Sequence, residues 1–297
     1  MTGGAGVQFF LSMEPQCGAT YGQQLRVAQA AEELGFGGVF RSDHFLDHRP
    51  GSTPGTVTTD VWVTLAGLAR ETRRIRLGSL LTCAAYRPPA VLAAMVAQVD
   101  DMSAGRVELG LGAGWFAAEH EALGIPLRAA RERFAVLEEQ LQIVRRLWQE
   151  RPDQRPMPPL VVGGRGTRRT PLIAARYADE HNIARPSVQD ARTAVEAARR
   201  ACRTMGRDPA SLRHSVLLRL HCTGGNGAGE RGAGERGAAG TVTGDPSQVV
   251  ERLAAYAALG VTRVYHQVVD FGDLRHLELL AREVLPAVLA MKGGECR

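Results

Sequence analysis

Eight short apolar runs recur along the chain, opening near Gly6, Gly37, Ile75, Arg106, Leu160, Glu180, Arg213 and Thr262. They read GVQFFLS, GGVFRS, IRLGSLLT, RVELGLGA, LVVGG, EHNIA, RHSVLLRLH and TRVYHQVV. Their nearly continuous apolar character predicts strands covered on both faces. Stretches with helical spacing lie between them. In LRVAQAAEELGF, Leu25, Ala28, Ala31 and Leu34 fall on one face and Gly35 supplies a stop. DVWVTLAGLARET opens at an N-cap residue, Asp60, and PPAVLAAMVAQVDDMS opens on prolines that a first turn accepts. RERFAVLEEQLQIVRRLW carries Phe134, Leu137, Leu141, Val144 and Leu147 as one stripe, and DPSQVVERLAAYAALG and LRHLELLAREVLPAVLA complete the set.

This alternation predicts an α/β fold in which the eight strand–helix units close into a (β/α)8 barrel, here as one domain over residues 1–297. An open doubly wound sheet fits less well, because no G-x-G-x-x-G follows the first strand. GGNGAGERGAGERGAAG, residues 224–240, interrupts the pattern after the seventh strand. It holds no apolar residue larger than alanine and is expected to be a flexible loop.

Composition narrows the chemistry. The chain has 297 residues, 44% hydrophobic and 23% charged, enough to build a core without staples. No run approaches a membrane span, and MTGGAGVQFF lacks the charged start of a secretory signal, so a cytoplasmic protein with no membrane partner is expected. The five cysteines are scattered, with no C-x-x-C, which argues against a disulfide framework or a structural zinc. Of 36 basic residues only Lys292 is lysine, near the C-terminus, which disfavours Schiff-base, pyridoxal and phosphate-loop mechanisms. The net charge of +5 suits an anionic ligand; with arginines spread along helices and 5% aromatics, nucleic acid is not the expected partner.

In a barrel the chemistry sits where strands end, so those junctions are the places to inspect. Strand two leads into Ser42, Asp43, His44, Asp47 and His48; strand three into Tyr86 and Arg87; strand four into Trp115, Glu119 and His120. His44 and His48 have the i, i+4 spacing of helical metal ligands, but Pro50 and Gly51 follow at once and no H-x-H marks the first strand, so no metal is expected. Strand five runs into Gly163-Gly164-Arg165-Gly166 and then a helix expected to be capped by Thr167. Bare glycine backbone at a helix start, beside Arg165, Arg168 and Arg169, suits a phosphate-bearing ligand.

At these residues the chain resembles the luciferase-like monooxygenase family. AAEELGFGGVFRSDHFL, the stretch from LAGLARETRRIRLGSLLT to RVELGLGAGWFAAEHEALGIPL, RFAVLEEQLQIVRRLW and PPLVVGGRGTRRTPLIAARYAD carry the likeness. The nearest branch is similar to oxidoreductases that use the deazaflavin coenzyme F420 in place of FMN. The resemblance implies a TIM barrel of the bacterial luciferase-like type, with the coenzyme ring at the strand C-termini. It places Asp43 against the coenzyme, with His44 in the same S-D-H-F motif, and Ser79 and Leu80 at a site that often holds a non-prolyl cis peptide. Gly112, Gly114 and Trp115 would line the pocket, and Gly163, Gly164, Arg165 and Gly166 would form the phosphate turn. A homodimer is a family-level expectation.

The function expected is hydride transfer between coenzyme F420 and a small-molecule substrate, with His44, Glu119 or His120 as acid or base. Two alternatives stand beside it: an FMN-dependent monooxygenase served by a separate reductase, and a non-catalytic barrel that binds a phosphorylated ligand.

Overall fold

A computed structural model describes residues 6–49, 59–150, 156–223 and 239–291. The Gly-rich stretch expected to be a flexible loop lies outside these residues, apart from Ala239 and Gly240. The strands are β1 (Gln8–Met13), β2 (Gly38–Arg41), β3 (Arg76–Ser79), β4 (Thr82–Cys83), β5 (Val107–Gly112), β6 (Leu160–Gly164), β7 (Glu180–Ala184), β8 (Arg213–Cys222), β9 (Thr241–Gly244) and β10 (Val261–Val268). Among the described residues every strand pairing is parallel. The order β10-β1-β2-β3-β5-β6-β7-β8 closes on itself because β10 pairs with both β1 and β8. β4 and β9 are short additions beside β5 and β8. All eight apolar runs of the sequence are barrel strands.

The connecting helices are α1 (Tyr21–Glu33), α2 (Val61–Glu71), α3 (Pro89–Ser103), α4 (Ala117–Ala122), α5 (Ala130–Gln149), α6 (Arg169–Tyr177), α7 (Val188–Thr204) and α8 (Pro246–Ala257). A last helical stretch comprises α9 (Arg275–Leu279), a π-helical turn over Leu280–Val284 and α10 (Leu285–Ala290). Local chemistry sets their ends. Asp60 accepts the Trp62 and Val63 N–H groups at 2.7 and 3.0 Å, as its N-cap position requires. Gly35, at φ +85°, ends the α1 segment. α7 is the helix that apolar periodicity signals least, because its buried face is Ala191, Ala194, Val195, Ala198 and Cys202.

Strand alternation sorts the core into two compartments. Phe9, Leu11, Val39, Leu77, Leu109 and Val216 point outward into the layer beneath the helices, while Phe10, Phe40, Val161, Leu217 and Tyr265 point into the barrel. Inside, Phe10, Phe40 and Tyr265 form an aromatic layer with centroids 5.1–5.7 Å apart. Gly38 and Gly78 make room for it: a Cβ would sit 2.7 Å from the Phe10 ring at Gly38 and 2.3 Å from the Phe40 ring at Gly78. Below, at the strand N-termini, is a buried ionic layer. Arg263 reaches Glu108 and Glu180, each at 2.7 Å, and Gln8 at 3.1–3.2 Å; Arg76 also pairs with Glu108 and the Tyr265 hydroxyl with Glu180.

Outside the barrel, His181 of β7 and His214 of β8 lie with ring centroids 5.7 Å apart, both buried and with no partner for any ring nitrogen. Burial pushes His181 down to about 4, and burial together with His181 and Arg199 pushes His214 to about 3. Both rings fold neutral, whereas in the unfolded chain they take up protons below about 6.5. Their stabilising effect is therefore complete above pH 6.5 and is lost as the pH falls toward 4. Denaturant unfolding across pH 7 to 4 should show stability dropping by up to about 1.4 kcal/mol per pH unit for each ring. The double variant H181L/H214L should lose that share of the slope; an unchanged slope refutes the assignment.

Candidate active site

The strand C-termini enclose a cavity of about 510 Å³ above the aromatic layer. Its two sides differ in charge. Glu14, just after β1, lines the cavity together with His44, His48 and Glu119, while Arg165 and Arg185, just after β6 and β7, line it from across the barrel. A ligand with an anionic end and a reactive end therefore has an electrostatically preferred direction.

On the first side the organising group is Glu119 of α4, which is 1% exposed. One of its oxygens meets His44 Nδ1 at 3.0 Å and accepts the Tyr86 hydroxyl. The other accepts the N–H groups of Phe45 and Leu46 at 2.6 and 3.0 Å. Burial works against its charge, but His44, Tyr86 and the Leu46 N–H outweigh it and hold Glu119 below the usual carboxylate range. Burial likewise opposes an imidazolium at His44, yet the hydrogen bond and charge of Glu119 lift its pKa above the ordinary histidine value. With Nδ1 engaged by the carboxylate, Nε2 is the basic nitrogen of the neutral ring. His44 and Glu119, singled out from separate junctions of the sequence, are thus direct partners.

Asp43 lines the cavity and is buried. Arg87 grips it at 2.6 and 3.0 Å and also reaches Asp60 at 2.5 Å, while the Cys83 N–H donates to Asp43 at 3.2 Å. Asp43 and Arg87 together therefore tie the end of β2 to β4 and to the starts of α2 and α3. Arg87 and Tyr86 were visible in the sequence only as polar residues of a junction; nothing local marks them as the partners of Asp43 and Glu119.

His120 is buried and does not line this cavity. Its Nδ1 lies 3.2 Å from the Ile125 carbonyl and its Nε2 3.9 Å from Cys83 Sγ, beside a neighbouring cavity of about 380 Å³. Ser79 is also turned away, its hydroxyl bonded to Gly110. The cis peptide falls at Leu80–Leu81, so of the expected Ser79–Leu80 site only Leu80 takes part; Leu80 and Leu81 both line the cavity. Trp115 stands at the mouth, 58% exposed.

The opposite side is built around the end of β6. A Cβ at Gly163 would lie 3.0 Å from Asn182, and one at Gly166 would lie 3.0 Å from Thr170 Oγ1, while Gly164 has φ +151°. At Gly112 a Cβ would come 3.1 Å from Leu81. Packing against Asn182, Thr170 and Leu81 thus leaves little room for a Cβ at Gly163, Gly166 and Gly112, and the cavity wall there is bare backbone. Thr167 is not the helix cap: α6 begins at Arg169, preceded by Arg168 with no side-chain cap bond, because the chain runs on through Thr167 and Arg168 before its dihedrals become helical. The uncapped N–H groups and Thr170 Oγ1 remain near the cavity wall, a donor set suited to a phosphate. Among the described residues no group of three or more His, Cys, Asp or Glu could hold a metal ion. No helix among them is long and apolar enough to cross a membrane.

A closed eight-stranded parallel barrel with a cavity at the strand C-termini defines the class of architecture. The profile of the luciferase-like monooxygenase family matches residues 1–226, and the chain belongs to that family. A relative from Intrasporangium calvum named F420-dependent glucose-6-phosphate dehydrogenase is 38% identical over 125 residues, covering 40% of this chain and 36% of its own. One from Mycobacterium tuberculosis named F420-dependent hydroxymycolic acid dehydrogenase is 32% identical over 203 residues, covering 62% of this chain and 55% of its own. The chain thus spans about a third to a half of these relatives' length. An F420-dependent secondary alcohol dehydrogenase, solved with an F420–acetone adduct, superposes with TM-score 0.81 at 16% identity, covering 95% of this chain and 99% of that one. The oxygenating constituent of 3,6-diketocamphane monooxygenase from Pseudomonas putida, solved with FMN, gives 0.75 at 17%, covering 95% and 98%. Both structures share the fold.

Proposed function

We infer that this chain is an oxidoreductase that binds coenzyme F420 and exchanges a hydride with a small organic substrate. The observation that carries the reading is the two-sided cavity, with a glycine-walled, arginine-flanked turn facing a Glu119-held imidazole. The names of the similar F420-dependent dehydrogenases support the choice of coenzyme. When bound, a deazaflavin supplies a hydride donor or acceptor at its ring carbon.

The chain's own residues do the rest. Gly163, Gly164, Gly166, Thr170 and Arg165 are the groups suited to the phosphate, and Gly112, Gly114, Leu80 and Leu81 supply an apolar wall for a ring. Asp43, fixed by Arg87, contributes a rigid acceptor on that wall. Glu119 fixes the orientation of His44 and stabilises its proton, so that the imidazolium meets charge developing on a substrate oxygen.

Fluorescence titration with F420 and, separately, with FMN tests the reading; saturable binding of F420 in preference to FMN is expected, and the reverse order would favour a flavin-dependent monooxygenase. Gly164→Asp should weaken F420 binding by about tenfold or more, since it sets a carboxylate beside the phosphate turn. Undiminished affinity in that variant would remove the phosphate assignment.

A further inference from the structure

His48 is not accounted for by the roles above. Its ring centroid lies 4.7 Å from that of His44, and the two rings share the same aromatic walls. Trp115 stands edge-on at 5.8 and 5.6 Å from His44 and His48, and Phe116 at 6.2 and 6.1 Å. Both histidines line the cavity. The two rings are not equivalent, because Glu119 makes its hydrogen bond to His44. His48 Nδ1 is enclosed by protein without a partner, so Nε2 is the nitrogen that can meet a ligand.

We propose that His44 and His48 form a two-imidazole acid–base pair in which His44 keeps the proton and His48, neutral beside it, takes the proton of a substrate hydroxyl. The proposal rests on the hydride-transfer reading and adds to it the substrate class, an alcohol, and the identity of the base. As the carbinol carbon gives up hydride to the deazaflavin, the substrate O–H bond breaks and its proton goes to His48 Nε2. The bonding pair left on oxygen becomes the second bond of the carbonyl. The alcohol is oxidised by two electrons, the deazaflavin is reduced by two, and His44 stays charged throughout.

The neighbours of the pair fit these roles. Around His44 stand Glu119 from α4, Glu14 just after β1 and Asp43 just after β2; around His48 stand Asp47 on its own segment, Glu14, Glu119 and His44. The acidic groups favour one proton on the pair, and Glu119 directs it to His44. Burial and the His44 charge then hold His48 below the ordinary histidine range. A second proton gained in turnover is repelled by His44, which returns it to solvent through the half-exposed edge of His48 and resets the base.

Titration of ¹⁵N-histidine-labelled protein without coenzyme, followed by NMR, tests the pair independently of turnover. Two separate steps are expected, with His44 the first ring protonated on acidification. In His44→Gln the His48 midpoint should rise by about 1–2 pH units as the neighbouring charge is lost. Glu119→Gln should move the two midpoints toward each other and serves if His44→Gln does not fold. Equal midpoints, His48 protonated first, or a His48 midpoint unmoved in both variants would overturn the pairing.

The second arm measures oxidation of 2-propanol and cyclohexanol by F420 across pH 5 to 9. His48→Gln should lower kcat about 10²-fold, flatten the acid limb of the profile and regain rate with added imidazole, while F420 affinity is kept. Wild-type rate and acid limb in His48→Gln would overturn the role of base, as would wild-type protein that binds F420 yet oxidises neither alcohol. Failure of wild-type protein to bind F420 would instead count against the hydride-transfer reading, with the NMR result still deciding the pair.

Discussion

Replacing Arg263 by Met should lower the unfolding free energy by about 3–5 kcal/mol, the range for removing one partner of a buried ionic cluster. The guanidinium lies between Glu108 and Glu180, all three side chains at most 2% exposed, and also bonds to Gln8. Without it, Glu180 retains only the Tyr265 hydroxyl among these partners, and Glu108 depends on Arg76 alone. For a chain of this size the melting temperature should fall by roughly 5–8 °C. Arg263→Lys should recover only part of the loss, because one ammonium cannot reproduce the forked contacts to both carboxylates and Gln8. Adding Glu180→Gln to Arg263→Met should restore stability relative to Arg263→Met, since the uncompensated charge is the main penalty. Thermal melts of these variants decide the matter; an Arg263→Met protein as stable as the parent would show that the ionic layer contributes nothing.

Glu119→Ala should have the largest effect on turnover, about 10³-fold in kcat by analogy with the loss of a positioned acid–base or charge-stabilising group. It removes one carboxylate that serves four donors: His44, Tyr86 and the N–H groups of Phe45 and Leu46. His44 then loses the group that raises its pKa, and the segment carrying His44 and His48 loses its anchor. Stability should fall as well, by about 1–3 kcal/mol for each buried N–H left unpaired. Glu119→Gln separates the two effects, because an amide oxygen still accepts the backbone N–H groups but brings no charge. It should melt near the wild-type temperature and still lose most of the rate. Equal rates in Glu119→Gln and wild type would show that the charge on Glu119 has no part in turnover.

The barrel strands were readable because parallel strands covered on both faces are written as continuous apolar runs, and GVQFFLS or RVELGLGA can be little else. What the runs conceal is the polar content of the barrel's interior. Glu108, Glu180 and Arg263 sit at strand starts, where one charged residue reads as a solvent-exposed end; only closure of the sheet brings residues 155 and 83 positions apart into contact. The site follows the same logic. His44 and Glu119 were identifiable separately, since each is a polar residue at a strand–loop junction, but their pairing spans 75 positions. Tyr86 and Arg87 acquire their partners only through the fold. His120 shares a helix with Glu119 one residue away and so faces another direction, a difference that a six-residue helix with no apolar stripe does not announce. The helix cap expected at Thr167 fails for a related reason: Thr is a good cap by chemistry, yet the backbone stays irregular through Arg168.

The aromatic layer has a kinetic consequence. Phe10, Phe40 and Tyr265, backed by the ionic layer, stopper the strand N-termini, so among the described residues the cavity is closed from below and filled from the strand C-terminal side. Whatever enters first lies deepest, and whatever enters second roofs it over. If the cavity holds the coenzyme and substrate proposed above, turnover becomes a matter of stacking order: the later arrival must depart before the earlier one can be exchanged.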